Sequence, residues 1–441
     1  MTDTADAPPS GRFSAFRHGP FALYWTARLL TTFGAQILSV AVLWQMYDLT
    51  RNTFYLGYVG LVQFAPAFVL VLVTGAAADR FGRRLIMGLA TGLAAVCAGG
   101  MFALSAAGLN SPSLMLGVLT VFGVARAFLG PASASLVVSL VPTRDFANAV
   151  TWNSSAWQMA TIVGPVAGGL LYGFGEPGLL YRADDGGWLQ TSMQGRGAEI
   201  AYGAAFLFIL IGALLVFLIP RPARKPPSTE RPSLRNMLAG FTFIWKEKVV
   251  LGAVSLDLFA VLLGGVVALL PVYARDILDL GPSGLGLLRA APGIGAIAMA
   301  AALAAFPIRD NAGRVMFICV ALFGVFTVVF GLSTVAWLSI AALALLGAVD
   351  MVSVVIRETL LQLWTPDAVR GRVNAVNSVF VGASNELGEF RAGTMAGVIG
   401  PGAIGAVPAA VIGGVGAIVV AGLWAWMFPA LRRARHLEGR S

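Results

Sequence analysis

Twelve apolar stretches, each 20 residues or longer, divide this chain almost from end to end. About 20 such residues are what an α-helix needs to cross the hydrocarbon of a bilayer. Bounded by charges and by Gly/Pro clusters, the stretches fall at 21–47, 54–78, 85–108, 114–141, 146–174, 200–219, 249–274, 284–306, 315–334, 336–363, 372–399 and 404–428. The ninth and tenth are parted only by Leu332-Ser333-Thr334. Only 12% of the residues are charged, against roughly 25% in soluble domains. A span surrounded by lipid has to satisfy its own backbone hydrogen bonds, so the sequence predicts an all-α integral membrane protein with the lipid bilayer as its surroundings.

The charges that remain alternate from loop to loop. One set of loops and termini carries 21 Lys and Arg residues; the other carries Arg51, Arg182, Arg196 and Arg275, four in all. The positive-inside rule then puts both termini in the cytoplasm. The formal net charge of +9 is thus topological, and no nucleic-acid partner is expected. The N-terminus is acidic before it is basic, unlike a cleaved signal peptide, so the first apolar run reads as a permanent span. Pro220, Pro222, Pro226, Pro227 and Pro232 lie among charges in residues 220–248. The expected organisation is a six-helix half over 1–219, a cytoplasmic linker over 220–248, and a second six-helix half with a short basic tail over 249–441. A Gly-rich polar stretch, 175–199, reads as an external insertion or a lid.

Catalysis finds little support. The two cysteines, Cys97 and Cys319, sit inside apolar runs, and the two histidines, His18 and His436, lie near the termini. No H-E-x-x-H pattern and no phosphate-binding G-x-x-x-x-G-K-[ST] loop is present. We expect no enzyme, no metal site and no bound cofactor, with an ion gradient as the energy source.

The halves repeat each other. Gly123-Val-Ala-Arg126 ends 16 residues before Pro142, and Gly347-Ala-Val-Asp350 ends 16 residues before Pro366. Asn148-Ala-Val and Asn374-Ala-Val follow the two prolines. Spans four and five therefore match spans ten and eleven. Two six-helix halves in parallel repeat, with the substrate between them, is the architecture of the major facilitator superfamily.

The loop between spans two and three reads Gly75-Ala-Ala-Ala-Asp79-Arg80-Phe-Gly82-Arg83-Arg84. It resembles that superfamily's G-x-L-A-D-R-x-G-R-[RK] signature, with Ala77 where Leu is usual. Gly82 suits a tight turn. The resemblance implies a conformational gate in which Asp79, Arg80, Arg83 and Arg84 act with Asp145 as a partner; a plain topogenic basic loop is the alternative. Gly164-Pro165-Val-Ala-Gly168-Gly169 is similar to the fifth-span motif of the superfamily's antiporters, and Arg126 with Gly130 partly matches its fourth-span motif. Thr26-Ala-Arg28, Phe33-Gly-Ala-Gln36, Asp257-Leu-Phe-Ala-Val and Glu386-Leu-Gly388-Glu389-Phe390-Arg391-Ala-Gly393 resemble the enterobactin-exporter and macrolide-efflux group of drug:proton antiporters.

The resemblance implies a monomeric inner-membrane exporter of a small molecule (a siderophore, macrolide or other amphipathic compound) driven by proton antiport. Import by proton symport is the alternative. A charge at the bilayer centre costs at least ~2.5–3.5 kcal/mol, so it implies a partner, a water-filled cavity or a function. Arg28, Arg126, Asp257, Asp350, Arg289, Glu386, Glu389 and Arg391 are such charges. Spans one, four, seven and ten line the cavity by resemblance, so Arg28 and Arg126 are expected to face Asp257 and Asp350 across it. These four, with Glu389, are the proton-coupling candidates; static ion pairs are the alternative. Arg357 and Glu358 are expected to snorkel to the interface. Gln36, Trp152, Asn153, Asn377 and Glu386 are the expected cavity residues.

Overall fold

The computed structural model describes residues 11–175, 195–220, 234–308 and 310–433. Most of the 175–199 stretch and the first part of the 220–248 stretch lie outside the described residues, as do the surroundings of Gly75 and the side chain of Asp79. The first half contains α1 (Gly19–Thr50), α2 (Thr53–Phe81), α3 (Arg83–Ala106), α4 (Pro112–Val137), α5 (Phe146–Phe174) and α6 (Gly197–Leu218). A shorter amphipathic helix, α7 (Leu234–Lys246), follows. The second half contains α8 (Lys248–Gly264), α9 (Gly281–Ala305), α10 (Ala312–Leu332), α11 (Ala336–Trp364), α12 (Asp367–Ile399) and α13 (Ala403–Met427). The break between α10 and α11 falls at Ser333, as the sequence predicts.

Ten of these helices are long and apolar enough to cross a membrane. The remaining two long helices, α5 and α12, run 29 and 33 residues but carry Asn148, Asn153, Gln158, Asn377, Glu386, Glu389 and Arg391. Their polarity has a structural cause. They are the helices that meet the opposite half, α5 on α9 and α12 on α2, so part of each surface faces protein and cleft rather than lipid.

Every principal contact is duplicated by the repeat. α1 packs on α5 and α6, α2 on α4, and α3 on α4 and α6. Likewise α8 packs on α12 and α13, α9 on α11, and α10 on α11 and α13. The repeat glycines explain two of these contacts. A Cβ at Gly123 would collide with the backbone of Gln63 in α2, and one at Gly347 with the backbone of Pro292 in α9. Small residues at these points let backbones approach closely, the main way helices pack inside a bilayer.

The seventh span is broken. α8 ends at Gly264, and the chain continues through short turns to a π-helical turn at Tyr273–Ile277. Arg391 braces the break by donating to the Gly265 carbonyl at 3.2 Å, one of the acceptors that a helix end leaves open.

The bundle is closed at one end and open at the other. On α2, Gly57 and Gly60 lie against Phe390, Glu386 and Glu389 of α12. Phe68 is eleven residues on from Gly57, on the same face of α2 after three turns, yet it is 57% exposed. On α5, Pro165 and Gly169 lie against Gly286 and Pro282 of α9, whereas Thr151 and Ser154, nearer the start of the helix, are exposed. The halves therefore touch at the face away from the termini and part toward the terminal face.

Candidate transport site

At mid-span, where the halves begin to part, a charge pair crosses between them. Arg126 of α4 reaches Glu386 of α12 with a 2.9 Å ion pair, its side chain 45% exposed. Its other nitrogen donates to Gln63 Oε1 of α2 at 3.2 Å. One turn from Glu386, Glu389 packs against Gly60 of α2. The guanidinium of Arg289, from α9, feels the charge of both glutamates and of Arg126, and its Nη1 is buried without a hydrogen-bond partner. Three helices, α4, α9 and α12, thus deliver two arginines and two glutamates to one place beside Gln63 of α2, with both halves contributing.

This pairing differs from the one the sequence suggests. Arg126 does not face Asp350, and Arg28 does not face Asp257. Arg28 donates to Ser133 Oγ of α4, within its own half, and Tyr24 shares that hydroxyl at 2.7 Å. Asp257 of α8 is bonded by Arg357 of α11, again within one half. Arg357 is 3% exposed and does not snorkel. An elongated side chain on the inner face of α11 finds a carboxylate on α8 sooner than it finds the membrane surface. Asp350 lies two turns earlier on α11 and lines a small cavity with Asp257. Asn377 is buried and donates to Glu358 Oε1 at 2.9 Å, tying α12 to α11.

The three other expected cavity residues do different work. Trp152 donates from Nε1 to the Arg12 carbonyl at 3.0 Å and stacks on Phe13 at 5.1 Å between centroids, so it anchors the N-terminal turn. The stem of Gln36 fills the space beside Gly164, and Asn153 accepts a long 3.5 Å hydrogen bond from Tyr24. The Gly164–Gly169 segment is a packing device twice over. Gly164 and Gly168 seat α5 on Gln36 and Ile37 of α1, and Pro165 and Gly169 seat it on α9 of the other half.

In the signature loop, Gly82 takes φ +93°, as the tight turn requires. Arg83 donates to the Ser135 carbonyl of α4 at 2.9 Å. Arg84 donates to the Val216 and Phe217 carbonyls of α6, and Arg80 is exposed. Asp145 is taken by His18 Nε2 at 3.0 Å, with Arg144 at 3.6 Å, rather than by Arg83. The N-terminal turn before α1 places His18 there. The hydrogen bond from His18 is the main cause holding the Asp145 carboxyl below its ordinary value.

The closed face carries a latch that sequence reasoning missed. Arg275 bonds Asp48 at 2.6 Å, Arg51 reaches Asp276 at 3.4 Å, and Tyr47 donates to Asp276. Asp48 and Arg51 end the first span and Arg275 and Asp276 end the seventh, so both pairs join the two halves. The signal was present as opposite charges at equivalent span ends.

Comparison with known proteins agrees with this arrangement. The family described as "Transmembrane secretion effector" matches residues 10–436. The enterobactin exporter EntS of Shigella boydii serotype 18 is 26% identical over 366 residues, 81% of each chain. That of Escherichia coli O139:H28 is equally similar. Among solved structures, a bacterial homologue of the human lysosomal transporter Spinster, in an inward-facing unoccupied conformation, superposes with a TM-score of 0.71 at 17% identity, covering 94% of this chain and 98% of its own. A D-xylose–proton symporter superposes at 0.66 with 14% identity, over 92% and 97%.

Proposed function

Because this chain belongs to the transmembrane secretion effector family, with the fold of a major facilitator superfamily transporter, we propose that it exports a small amphipathic compound from the bacterial cytoplasm in exchange for protons. Siderophores and macrolides are the first compounds to try, given the likeness to enterobactin exporters. On this reading both termini are cytoplasmic, the open cleft faces the cytoplasm, and one chain suffices.

One observation carries the reading: the Arg126–Glu386 pair joins the two halves at mid-span while remaining accessible from the cleft. A buried pair would serve packing alone. An accessible pair between moving bodies is one that a ligand and a proton can contest. Substrate entering the cleft displaces the Arg126 guanidinium from Glu386; once the substrate has left on the far side, the freed glutamate takes up a proton there and releases it to the cytoplasm after the return, as the ion pair re-forms. Glu389 and Arg289 set the local field, since each added or removed charge is felt strongly where water is scarce. When the halves rock, the contacts of α2 on α12 and of α5 on α9 part, and the opposite face opens.

The test is transport in everted membrane vesicles with a fluorescent sensor of the proton gradient. Addition of an exported compound should collapse the gradient in the native protein and fail to do so in Glu386→Gln. A compound transported at native rate and with native coupling by both Glu386→Gln and Glu389→Gln would remove this cluster from the mechanism.

A further inference from the structure

Arg28 carries a charge that no carboxylate answers. It lies within α1, past the second turn from the terminal face, where a charge implies a partner, a water-filled cavity or a function. Arg126 and Arg357 each hold a carboxylate, and Arg289 feels two. Arg28 has only neutral company. Its Nη1 donates to Ser133 Oγ, its Nε is buried without a partner, and no carboxylate pairs with it among the described residues. Tyr24, which shares the Ser133 hydroxyl, and Asn153 complete a polar patch without charge. The wall around Arg28 has a direction. Ser133 follows Arg126 on α4 by two turns, so the two share a face about 10 Å apart along the helix. That face looks into the cleft, because Arg126 crosses it to reach Glu386. Gly130 lies between them, exposed, with nothing within 4 Å of where a Cβ would stand. Arg28 and Arg126 are thus two cations on one wall with open space between, and Arg28 is the nearer to the open end.

Resting on the export reading above, we propose that the exported compound is an organic acid, and that Arg28 receives its ionised oxyanion group. A guanidinium presents a planar fork of donors that matches such a group, and Ser133 holds this one by a single nitrogen. The acid meets Arg28 first, with its apolar body over Gly130. Passed two turns along α4, the same anion competes with Glu386 for Arg126. A neutral compound could not do this, and a cation would go to Glu386 instead. The second half offers no equal: there the matching contact is the Asp257–Arg357 pair, which neutralises itself.

The probes are three fluorescent amphiphiles of one body and different charge: dansylglycine, its methyl ester and dansylcadaverine, an acid, a neutral form and an amine. Their binding to purified full-length protein in detergent at neutral pH is read by fluorescence polarisation against detergent alone. The native protein should hold the acid more tightly than the ester, and the ester at least as tightly as the amine. In Arg28→Gln the acid should bind about tenfold more weakly, level with its ester, the loss expected for one charge-assisted hydrogen bond. Arg28→Lys, which keeps the charge without the fork, should keep part of the preference. Equal binding of the three forms by the native protein, or tightest binding of the amine, would overturn the proposal even if Arg28→Gln fails to fold. A preference for the acid that survives in Arg28→Gln would also overturn it. The measurement needs no proton gradient. A preference for the acid that depends on Arg28 therefore stands even if Glu386→Gln keeps native coupling, an outcome that removes only the proton reading.

Discussion

Ser133 and Arg357 hold equivalent places in the two halves, 224 residues apart, and each bonds the charged side chain offered by the first helix of its own half. The partner is Arg28 in one case and Asp257 in the other. The repeat has kept the contact and changed its chemistry, from a hydroxyl on a guanidinium to a buried ion pair. Removing one member of a buried pair leaves an uncompensated charge and costs about 3–5 kcal/mol. Arg357→Met is therefore expected to destabilise the protein strongly, and Arg357→Met with Asp257→Leu to recover part of the loss. Thermal unfolding of the three variants in detergent checks this.

The Arg126–Glu386 pair should behave in the opposite way. With Arg126 nearly half exposed, its bond contributes at most about 1 kcal/mol to stability. Arg126→Gln and Glu386→Gln are expected to unfold close to the native midpoint while coupled transport falls roughly tenfold or more, equivalent to about 1.4 kcal/mol on the barrier. Parallel measurement of unfolding and of vesicle transport separates the two effects.

Closure of the face away from the termini depends on Asp48 and Arg275, 2.6 Å apart across the halves. Joining Asp48→Cys to Arg275→Cys with a short cleavable thiol reagent should stop transport, and cleaving the reagent should restore it. The native thiols, Cys97 and Cys319, are buried, so background labelling should be low. Continued turnover of fully crosslinked protein would show that this face need not open.

A side chain at Gly393 would meet the backbone of Gly57 at about 2.5 Å, tighter than real Cβ contacts allow. Gly393→Ala should wedge α12 from α2 and loosen that same face. Single-cysteine Asp48→Cys is the reporter: its alkylation rate should rise when Gly393→Ala is added, and an unchanged rate would place the closing force elsewhere.

At the terminal face, the His18–Asp145 bond predicts an acid limit. Asp145 is held below its ordinary value of 3.8, chiefly by the hydrogen bond from His18. A lowered carboxylate stabilises the fold above its unfolded value, and that stabilisation is lost as pH falls through the folded one. The midpoint difference between native protein and Asp145→Asn should be steady from neutral pH down to about 4, then shrink on further acidification.

Much of this was legible in the sequence. The spans, the break at Ser333 and the repeat of Gly123 and Gly347 follow from local composition and spacing. Arg357 was not legible. A long cation near a helix end reads the same whether it reaches for the membrane surface or for a carboxylate 100 residues earlier. Trp152 was misread for a related reason: an aromatic ring on a polar helix suits a cleft or a docked N-terminal turn equally well.

The sequence by itself determined that the chain lives in a membrane, how many times its helices cross, and that its halves share one plan. Lipid leaves a long apolar run no backbone structure but a helix, and a helix needs only its own residues. Only the tertiary structure decided which charges meet and which end of the bundle is closed. Those outcomes depend on the rotation and depth of helices far apart in the chain, set by small-residue contacts such as Gly57 on Gly393 and Pro165 on Gly286.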